Sequence, residues 1–151
     1  MPTANDVLAL EAFLPYRLNR LAEDVSRNFS KLYRDRFGLT RPEWRLLATL
    51  GQYGTMTATA VGQHSAMHKT KVSRAVAALA RRHWLVRTPD EADRRVEHLR
   101  LTSAGVAAYR EMVPLAHAFE AKLLAALPEA DREAALRLIT QLAAASRTIT
   151  R

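Results

Sequence analysis

The centre of the chain, residues 67–105, reads MHKTKVSRAVAALARRHWLVRTPDEADRRVEHLRLTSAG. Its first part repeats apolar residues at steps of three and four, which predicts an amphipathic helix over about 68–83. Beyond this helix the period changes to two, because apolar and polar residues alternate over 85–88 and 97–101. The polar stretch 89–95 lies between these two short strands, so we expect a hairpin with a long charged tip.

Two shorter helices are predicted immediately before this basic helix. Thr40 can cap the first of them, which ends before Gly51 or Gly54. The second is short and runs to about His64. Three short helices in a row, the last of them the most basic, form the skeleton of a helix-turn-helix.

Longer helices are predicted on both sides of this core. Residues 7–37 read as one, with a kink or a fresh start at Pro15. Another begins at an N-cap on Thr102, and the last opens at Pro128. The terminal helices are rich in Leu and Ala on more than one face, which suggests burial beyond what one small subunit offers.

The distribution of charge is uneven. The chain has 23 Lys and Arg against 15 Asp and Glu, a net charge of +8. Seven of the basic residues and no acidic residue lie between Trp44 and Pro89, whereas both ends of the chain are close to neutral. A carboxylate facing phosphate would be repelled, so this gap favours a surface that binds polyanions. The alternative is a solvated basic face without a partner.

The composition excludes several classes of protein. Without cysteine the chain has no disulfide, thiolate zinc site or thiol nucleophile. No window approaches about 18 uninterrupted apolar residues, and residues 1–6 lack the pattern of a signal peptide, so we expect a cytoplasmic protein that binds no membrane. Glycine-rich phosphate loops, G-x-S-x-G and H-E-x-x-H are absent, and we expect no cofactor.

The helix over 68–83 separates two faces. Its apolar stripe consists of Val72, Ala75, Val76, Leu79 and Ala80. The opposite face, which we call the reading face, offers donors, hydroxyls and a methyl group suited to base edges in the major groove: Lys69, Thr70, Ser73, Arg74 and Ala77. Basic residues on the flanks of this face are assigned to DNA phosphates: Lys71, Arg81 and Arg82.

The hairpin tip is predicted to make a second contact with DNA. Arg94 and Arg95 are placed to reach an adjacent minor groove, where a narrow A·T-rich tract concentrates negative potential. Asp93 can orient one of these arginines through a bidentate pair while the other enters the groove. A solvated charged turn is the alternative interpretation.

These motifs resemble the MarR family of winged helix-turn-helix transcriptional regulators. The likeness rests on residues 67–79, 85–87, 93–95 and 99–105. The segment FGLTRPEWR at 37–45 is similar to the entry of the second helix in the branch of that family that answers to aromatic acids or their thioesters.

The resemblance implies a mainly α fold with a small two-stranded β wing, a winged helix-turn-helix plus long dimerisation helices. We expect an N-terminal dimerisation helix in residues 1–37, a winged helix-turn-helix DNA-binding region in 38–101 and C-terminal dimerisation helices in 102–151. A homodimer would set two recognition helices about one DNA turn apart on a pseudo-palindromic operator. His83 departs from the family, which usually has glycine there; either the helix ends without a left-handed cap or His83 adopts that conformation.

The resemblance also implies a pocket for a small effector, a small aromatic carboxylate or a CoA thioester. The candidate lining residues are Arg17, Asn19, Trp44 and Arg45. An arginine can hold a carboxylate and Trp44 can cover an aromatic ring, although Trp44 can equally fill the core.

Two other functions remain open on sequence alone. The basic segment would also serve a sequence-neutral architectural DNA-binding protein. A small helical enzyme is the other alternative, for which His64 and His68 have metal-ligand spacing, but a predicted turn separates them. The favoured interpretation is a sequence-specific DNA-binding regulator of transcription, a repressor released by its ligand, and not an enzyme.

Overall fold

A computed structural model describes residues 6–149 of the chain. The helices are α1 (Leu14–Phe37), α2 (Arg41–Tyr53), α3 (Ala58–Ser65), α4 (Lys69–Arg81), α5 (Ser103–Ala125) and α6 (Glu129–Ile149). The strands are β1 (Met56–Thr57), β2 (Leu85–Pro89) and β3 (Glu97–Leu101). A single 3₁₀ turn, Leu10–Ala12, precedes α1. The predicted mainly α fold class is confirmed, and the boundary between two compact units falls between Met112 and Val113.

Local sequence signals set the helix ends. Thr40 caps α2 through a capping box, in which its hydroxyl accepts from the Glu43 amide while the Glu43 carboxylate accepts from the Thr40 amide at 3.0 Å. The cap of α3 is Thr57, whose Oγ1 accepts from the amide of Ala60 at 3.1 Å. Of the two predicted stops for α2, the chain uses the later one, Gly54.

The apolar stripe of α4 is buried in the core of the first unit. Val72, Ala75, Val76 and Leu79 are each at most 3% exposed. They share one cluster with side chains of α2, α3 and the two longer strands: Leu46, Leu47, Leu50, Val61, Leu85, Leu99 and Leu101. Full burial of a Val or Leu side chain contributes about 1.5–3 kcal/mol, so this stripe fixes which side of α4 faces outward.

The sheet has three antiparallel strands in the order β1-β3-β2. β2 and β3 form the predicted hairpin, with Leu85 opposite Leu101. The sequence predicts only these two strands and misses β1, because two residues are too few to show an alternating pattern. In β1, Met56 lies opposite Leu99, so this short pairing joins the start of α3 to the hairpin.

The chain leaves α4 through a strained residue. His83 has a φ of 60°, so it adopts the left-handed conformation at the place where a glycine is expected. Thr102 fixes the residues on either side: its Oγ1 donates to the His83 carbonyl at 2.6 Å, and its amide donates to the Trp84 carbonyl at 2.9 Å. Gly105 lies so close to the same carbonyl that a Cβ would overlap with it.

The second unit presents apolar side chains to solvent. It comprises the chain from Val113 onward, and none of the described residues of α6 is buried. The exposed large apolar residues of α6 include Leu136, Leu138, Ile139 and Leu142. Exposed apolar patches of this kind mark interaction surfaces. Within residues 6–149, no helix is long and apolar enough to cross a bilayer.

Replacing His83 with glycine is expected to stabilise the protein. A non-glycine residue at a φ of 60° carries backbone strain of about 1–2 kcal/mol. Glycine also makes the unfolded chain more flexible, which offsets about 0.5–1 kcal/mol of the relieved strain. The free energy of unfolding should therefore rise by roughly 0.5–1 kcal/mol, as measured by urea denaturation followed by circular dichroism. His83→Ala keeps the Cβ and should show no gain. A less stable His83→Gly variant would mean that the imidazole makes a stabilising contact.

Candidate nucleic-acid interface

The reading face of α4 is open to solvent. Lys69, Thr70, Ser73 and Arg74 are exposed, and Ala77 is half-buried at the edge of the apolar stripe. Because the stripe on the other side is fixed in the core, these side chains point away from the protein. Ion pairs to them are absent within residues 6–149, so the Lys and Arg donors are available to an external ligand. The base-reading role remains a prediction.

The turn before α4 fixes where the helix begins. α3 ends at Ser65, and Ala66 then takes a left-handed conformation with φ 52°. His68 caps α4, because its Nδ1 accepts a hydrogen bond from the amide of Thr70 at 3.2 Å. The cap leaves the side chain of Thr70 free on the reading face.

The histidines with metal-ligand spacing do not form a metal site. His64 lies near the end of α3 and His68 lies beyond the turn, so the two do not share one helix. His64 Nε2 is instead 2.9 Å from the hydroxyl of Tyr53, whose ring meets the imidazole edge-on. In the part of the chain that the structure describes, no cluster of His, Asp and Glu could hold a metal ion.

The three basic residues assigned to phosphates differ in their surroundings. Lys71 and Arg81 are exposed. Arg82 is half-buried, and its guanidinium donates to the carbonyls of Phe37 and Gly38 at 2.6 and 2.7 Å. The phosphate role of all three stays a prediction, but one donor on each terminal nitrogen of Arg82 is already used inside the protein.

The wing tip holds one arginine in a fixed orientation. Arg95 donates from Nε and Nη2 to the two carboxylate oxygens of Asp93, at 3.1 and 3.2 Å, and its amide donates to the same carboxylate. The side-chain hydrogen bond from Arg95, followed by that from its amide, lowers the pKa of Asp93 below the usual 3.8. The Arg95 side chain is nevertheless 91% exposed. Arg94 is exposed and forms no ion pair within the described residues.

The base of the tip depends on a pair that the sequence analysis missed. Asp90 accepts hydrogen bonds from the amides of Ala92 and Asp93 at 3.0 Å, and its other oxygen lies 2.8 Å from His98 Nε2 on β3. The hydrogen bond with His98 and those from the two amides lower the pKa of Asp90. A Pro-Asp pair at the start of a polar stretch is a turn signal and could have indicated this role for Asp90. Nothing local indicates His98.

The four residues predicted to line an effector pocket are not brought together within the chain. Trp44 packs edge-on against Phe29 and stacks on Tyr33, with ring centroids 4.9 and 5.8 Å away. Arg17 precedes Phe29 by 12 residues on α1, which is roughly 18 Å along a helix.

Two further features of this set weigh against one shared pocket. Asn19 is two positions from Arg17 and therefore lies on a different side of α1. Arg45 is exposed on α2. The role of these four side chains in ligand binding stays a prediction.

A cavity lies elsewhere, at the base of the wing. Its volume is about 420 Å³. The lining residues include Thr55, Thr88, Asp90, His98 and Arg100. None of the predicted effector residues is among them.

A helix-turn-helix followed by an antiparallel wing, with an exposed basic last helix, defines the winged helix-turn-helix class of DNA-binding proteins. The sequence profile of the MarR family matches residues 37–96. A MarR family transcriptional regulator from Silicibacter pomeroyi is 32% identical, with a TM-score of 0.75, over 90% of this chain and 98% of that structure. The chain therefore belongs to the MarR family of transcriptional regulators, as its motifs predicted.

Two further solved structures resemble the chain. BpsR from Bordetella bronchiseptica, whose DNA binding is regulated by 6-hydroxynicotinic acid, is 25% identical with a TM-score of 0.79, over 91% of this chain and 97% of BpsR. FabT from Streptococcus pneumoniae, solved in complex with DNA, shares the fold at 22% identity and a TM-score of 0.69, over 87% of this chain and 96% of FabT. A comparison with curated protein sequences gives no significant match.

The pairing of Asp93 with Arg95 predicts that loss of the arginine changes the titration of Asp93 and not that of Asp90. The pKa of Asp93 should lie below 3.8 and rise toward that value in Arg95→Ala, whereas Asp90 should keep its lowered pKa because its partners are unchanged. A carboxylate whose pKa is lowered by folding stabilises the folded wing at every pH above its ordinary pKa. This stabilisation is lost only as the pH falls through the lowered pKa, so the pair is intact near neutral pH. NMR titration of the side-chain carboxyl carbons measures both groups. A midpoint for Asp93 at or above 3.8 in the unmodified protein would contradict the pairing.

Proposed function

We propose that this MarR family member is a sequence-specific repressor that binds a pseudo-palindromic operator as a homodimer. The observation on which this depends is the reading face, where exposed Lys69, Thr70, Ser73 and Arg74 lie on a helix whose opposite side is buried. An α-helix fits the major groove, and these side chains are of the kinds that recognise base edges there. Because the helix is held in the core, its backbone loses little conformational entropy on binding.

Charge supports the same surface. Trp44 to Pro89 includes all of α3 and α4 and has seven basic and no acidic residues, so no carboxylate on these helices opposes a phosphate. In this proposal Lys71 and Arg81 contact the DNA backbone and fix the register of α4.

In this proposal the wing supplies a minor-groove contact through Arg95, the arginine that Asp93 holds, and not through the other arginine as the sequence analysis expected. Its guanidinium is held by Asp93 at two points yet remains 91% exposed, so the side chain is ordered before DNA arrives. Restricting the side chain in this way lowers the entropic cost of ordering it on DNA. Asp93 therefore orients Arg95, and Arg94 is left for the neighbouring phosphates.

In the proposed homodimer, the three regions expected from the sequence have separate roles. Residues 1–37 and 102–151 dimerise, while 38–101 bind DNA. The exposed apolar side chains on α6, together with Leu14, Leu18 and Leu21 on α1, support this role because a single chain leaves them in water. A twofold protein matches a twofold operator.

A small aromatic carboxylate or its thioester is the proposed effector. BpsR, similar over most of the chain, responds to 6-hydroxynicotinic acid, an aromatic acid. Trp44 and Arg45 are the candidate contacts from one subunit, with Arg17 and Asn19 supplied by the other. Such a ligand releases DNA only if it binds the DNA-incompetent arrangement more tightly. Titration of 6-hydroxynicotinic acid and benzoate into the protein–DNA complex tests this step, and unchanged DNA affinity with both would refute it for these acids.

Fluorescence anisotropy tests the proposed function. It is measured on DNA from upstream of the gene and on a scrambled duplex, at several salt concentrations. We expect a preference of about a thousandfold or more for one fragment, with a steep negative salt slope on both. Equal binding to the two duplexes would instead indicate a sequence-neutral architectural protein.

Arg74→Ala is expected to weaken binding to the preferred fragment by about 1–3 kcal/mol and to relax the preference at one base pair in each half-site. The reason is the loss of a base contact from the middle of the reading face. Lys71→Ala is the matched control, since loss of a phosphate contact weakens binding to all sequences alike. The same uniform loss in Arg74→Ala would make Arg74 a phosphate contact.

Arg95→Ala is expected to weaken binding most when the operator is flanked by A·T-rich DNA, because the narrow minor groove there attracts an inserted arginine. Anisotropy on operators with A·T-rich and G·C-rich flanks measures the difference. Arg94→Ala should reduce the affinity equally on both. The reverse pattern would assign the groove to Arg94.

A further inference from the structure

Arg82 joins two helices that are distant in the sequence. It lies at the C-terminal end of α4, and its partners, the carbonyls of Phe37 and Gly38, lie at the C-terminal end of α1, 45 and 44 positions earlier. The guanidinium donates from both terminal nitrogens, one to each carbonyl. It also lies over the ring of Trp84, with Cζ 4.9 Å from the ring centroid. Three separate contacts therefore hold this side chain.

The end of α1 needs such a donor. The last carbonyls of a helix have no partner within the helix, and the helix dipole makes that end negative. The amide of Gly38 already bonds back to the Arg34 carbonyl, which closes the helix but leaves the Phe37 and Gly38 carbonyls open. A planar guanidinium suits two neighbouring carbonyl acceptors better than a single ammonium group does.

Gly38 shows how closely the two ends fit. Its φ is 66°, a conformation that favours glycine. A Cβ at this position would come within 3.3 Å of Arg82 Nη2. Glycine is therefore favoured by the backbone conformation, and a Cβ here would be a tight contact that Arg82 Nη2 would have to relieve by a small shift.

The same junction is tied to α5. The residues that follow Arg82 are bound through their carbonyls by Thr102, the residue immediately before α5. The end of the recognition helix is thus connected to the end of α1 and to the start of α5. These two helices lie in the proposed dimerisation regions.

We propose that Arg82 is a positioning residue that sets the angle of α4 against α1, and that it does not contact DNA phosphate. This inference rests on the proposed function, because it concerns how the recognition helix is presented to an operator. The two carbonyls fix the orientation of the guanidinium, and any phosphate contact that turned it away would leave both carbonyls without another described partner. Arg81, one residue earlier and exposed, is free to make the phosphate contact instead.

Fluorescence anisotropy separates a positioning role from a phosphate contact. The variants are Arg82→Ala, Arg82→Lys and the control Arg81→Ala, each measured on the preferred fragment and the scrambled duplex at several salt concentrations. Arg82→Ala should lose about tenfold on the preferred fragment, the loss expected for a charged hydrogen bond, with no change on scrambled DNA or in the salt slope. Arg82→Lys should behave similarly, because lysine keeps the charge but not the planar fork. Arg81→Ala should weaken binding to both duplexes and make the salt slope shallower by about 0.9.

Parallel losses on both duplexes in Arg82→Ala, or full rescue by Arg82→Lys, would assign Arg82 to phosphate and overturn the inference. An unchanged ratio of preferred to scrambled affinity, with only a lower melting temperature, would also overturn it, because Arg82 would then merely stabilise the fold.

Hydrogen exchange without DNA provides a second test. Arg82→Ala should speed exchange of the amides at 36–39 and at 80–84 together, while Arg81→Ala should leave 36–39 unchanged. If the unmodified protein shows no preference between the duplexes, the proposed function fails, and this exchange measurement still decides whether Arg82 joins the helices. Unchanged exchange at 36–39 in Arg82→Ala would overturn the inference.

Discussion

Val72, Ala75, Val76 and Leu79 hold α4 in the core, and every outward side chain on that helix takes its direction from them. The relative sizes of charge repulsion and apolar burial explain why α4 tolerates its own positive charge. Repulsion between like charges three positions apart, such as Lys71 and Arg74, costs about 0.2–0.5 kcal/mol on a helix surface. Each buried Val or Leu contributes several times as much. Apolar burial therefore dominates the orientation of α4, and a strongly basic outer face adds little strain.

The two aspartates of the wing satisfy internal donors. The Asp90 carboxylate is shared between two backbone amides and His98, and Asp93 is bound by Arg95. Hydrogen bonds to the charged form keep both groups ionised, as the lowered pKa values indicate. A seven-residue turn between β2 and β3 is thereby ordered without a hydrophobic core of its own.

Much of the fold could be predicted because its signals are local. Capping residues such as Thr40, the helical period of α4 and the alternation in the hairpin each lie within a few residues of the element that they define. The features that sequence reasoning missed depend on partners far along the chain. β1 is two residues long and exists only through β3, and nothing near Arg82 indicates that it binds the end of α1.

The features of the candidate site also divide into those set by local sequence and those that depend on distant parts of the chain. The reading face follows from helical geometry, which one segment determines. The predicted effector residues rest on a resemblance to the family, and in the structure Trp44 packs on Phe29, which is distant from Arg17 along α1.

The exposed apolar surface of α6 has a consequence for regulation. In the proposed homodimer this helix, which buries none of its described residues in its own chain, gains its hydrophobic stabilisation by association, so its stability depends on protein concentration. Where the subunits are partly dissociated, the amount of dimer grows with the square of the subunit concentration. Operator occupancy by the proposed homodimer then responds more steeply than in proportion to the concentration of the regulator.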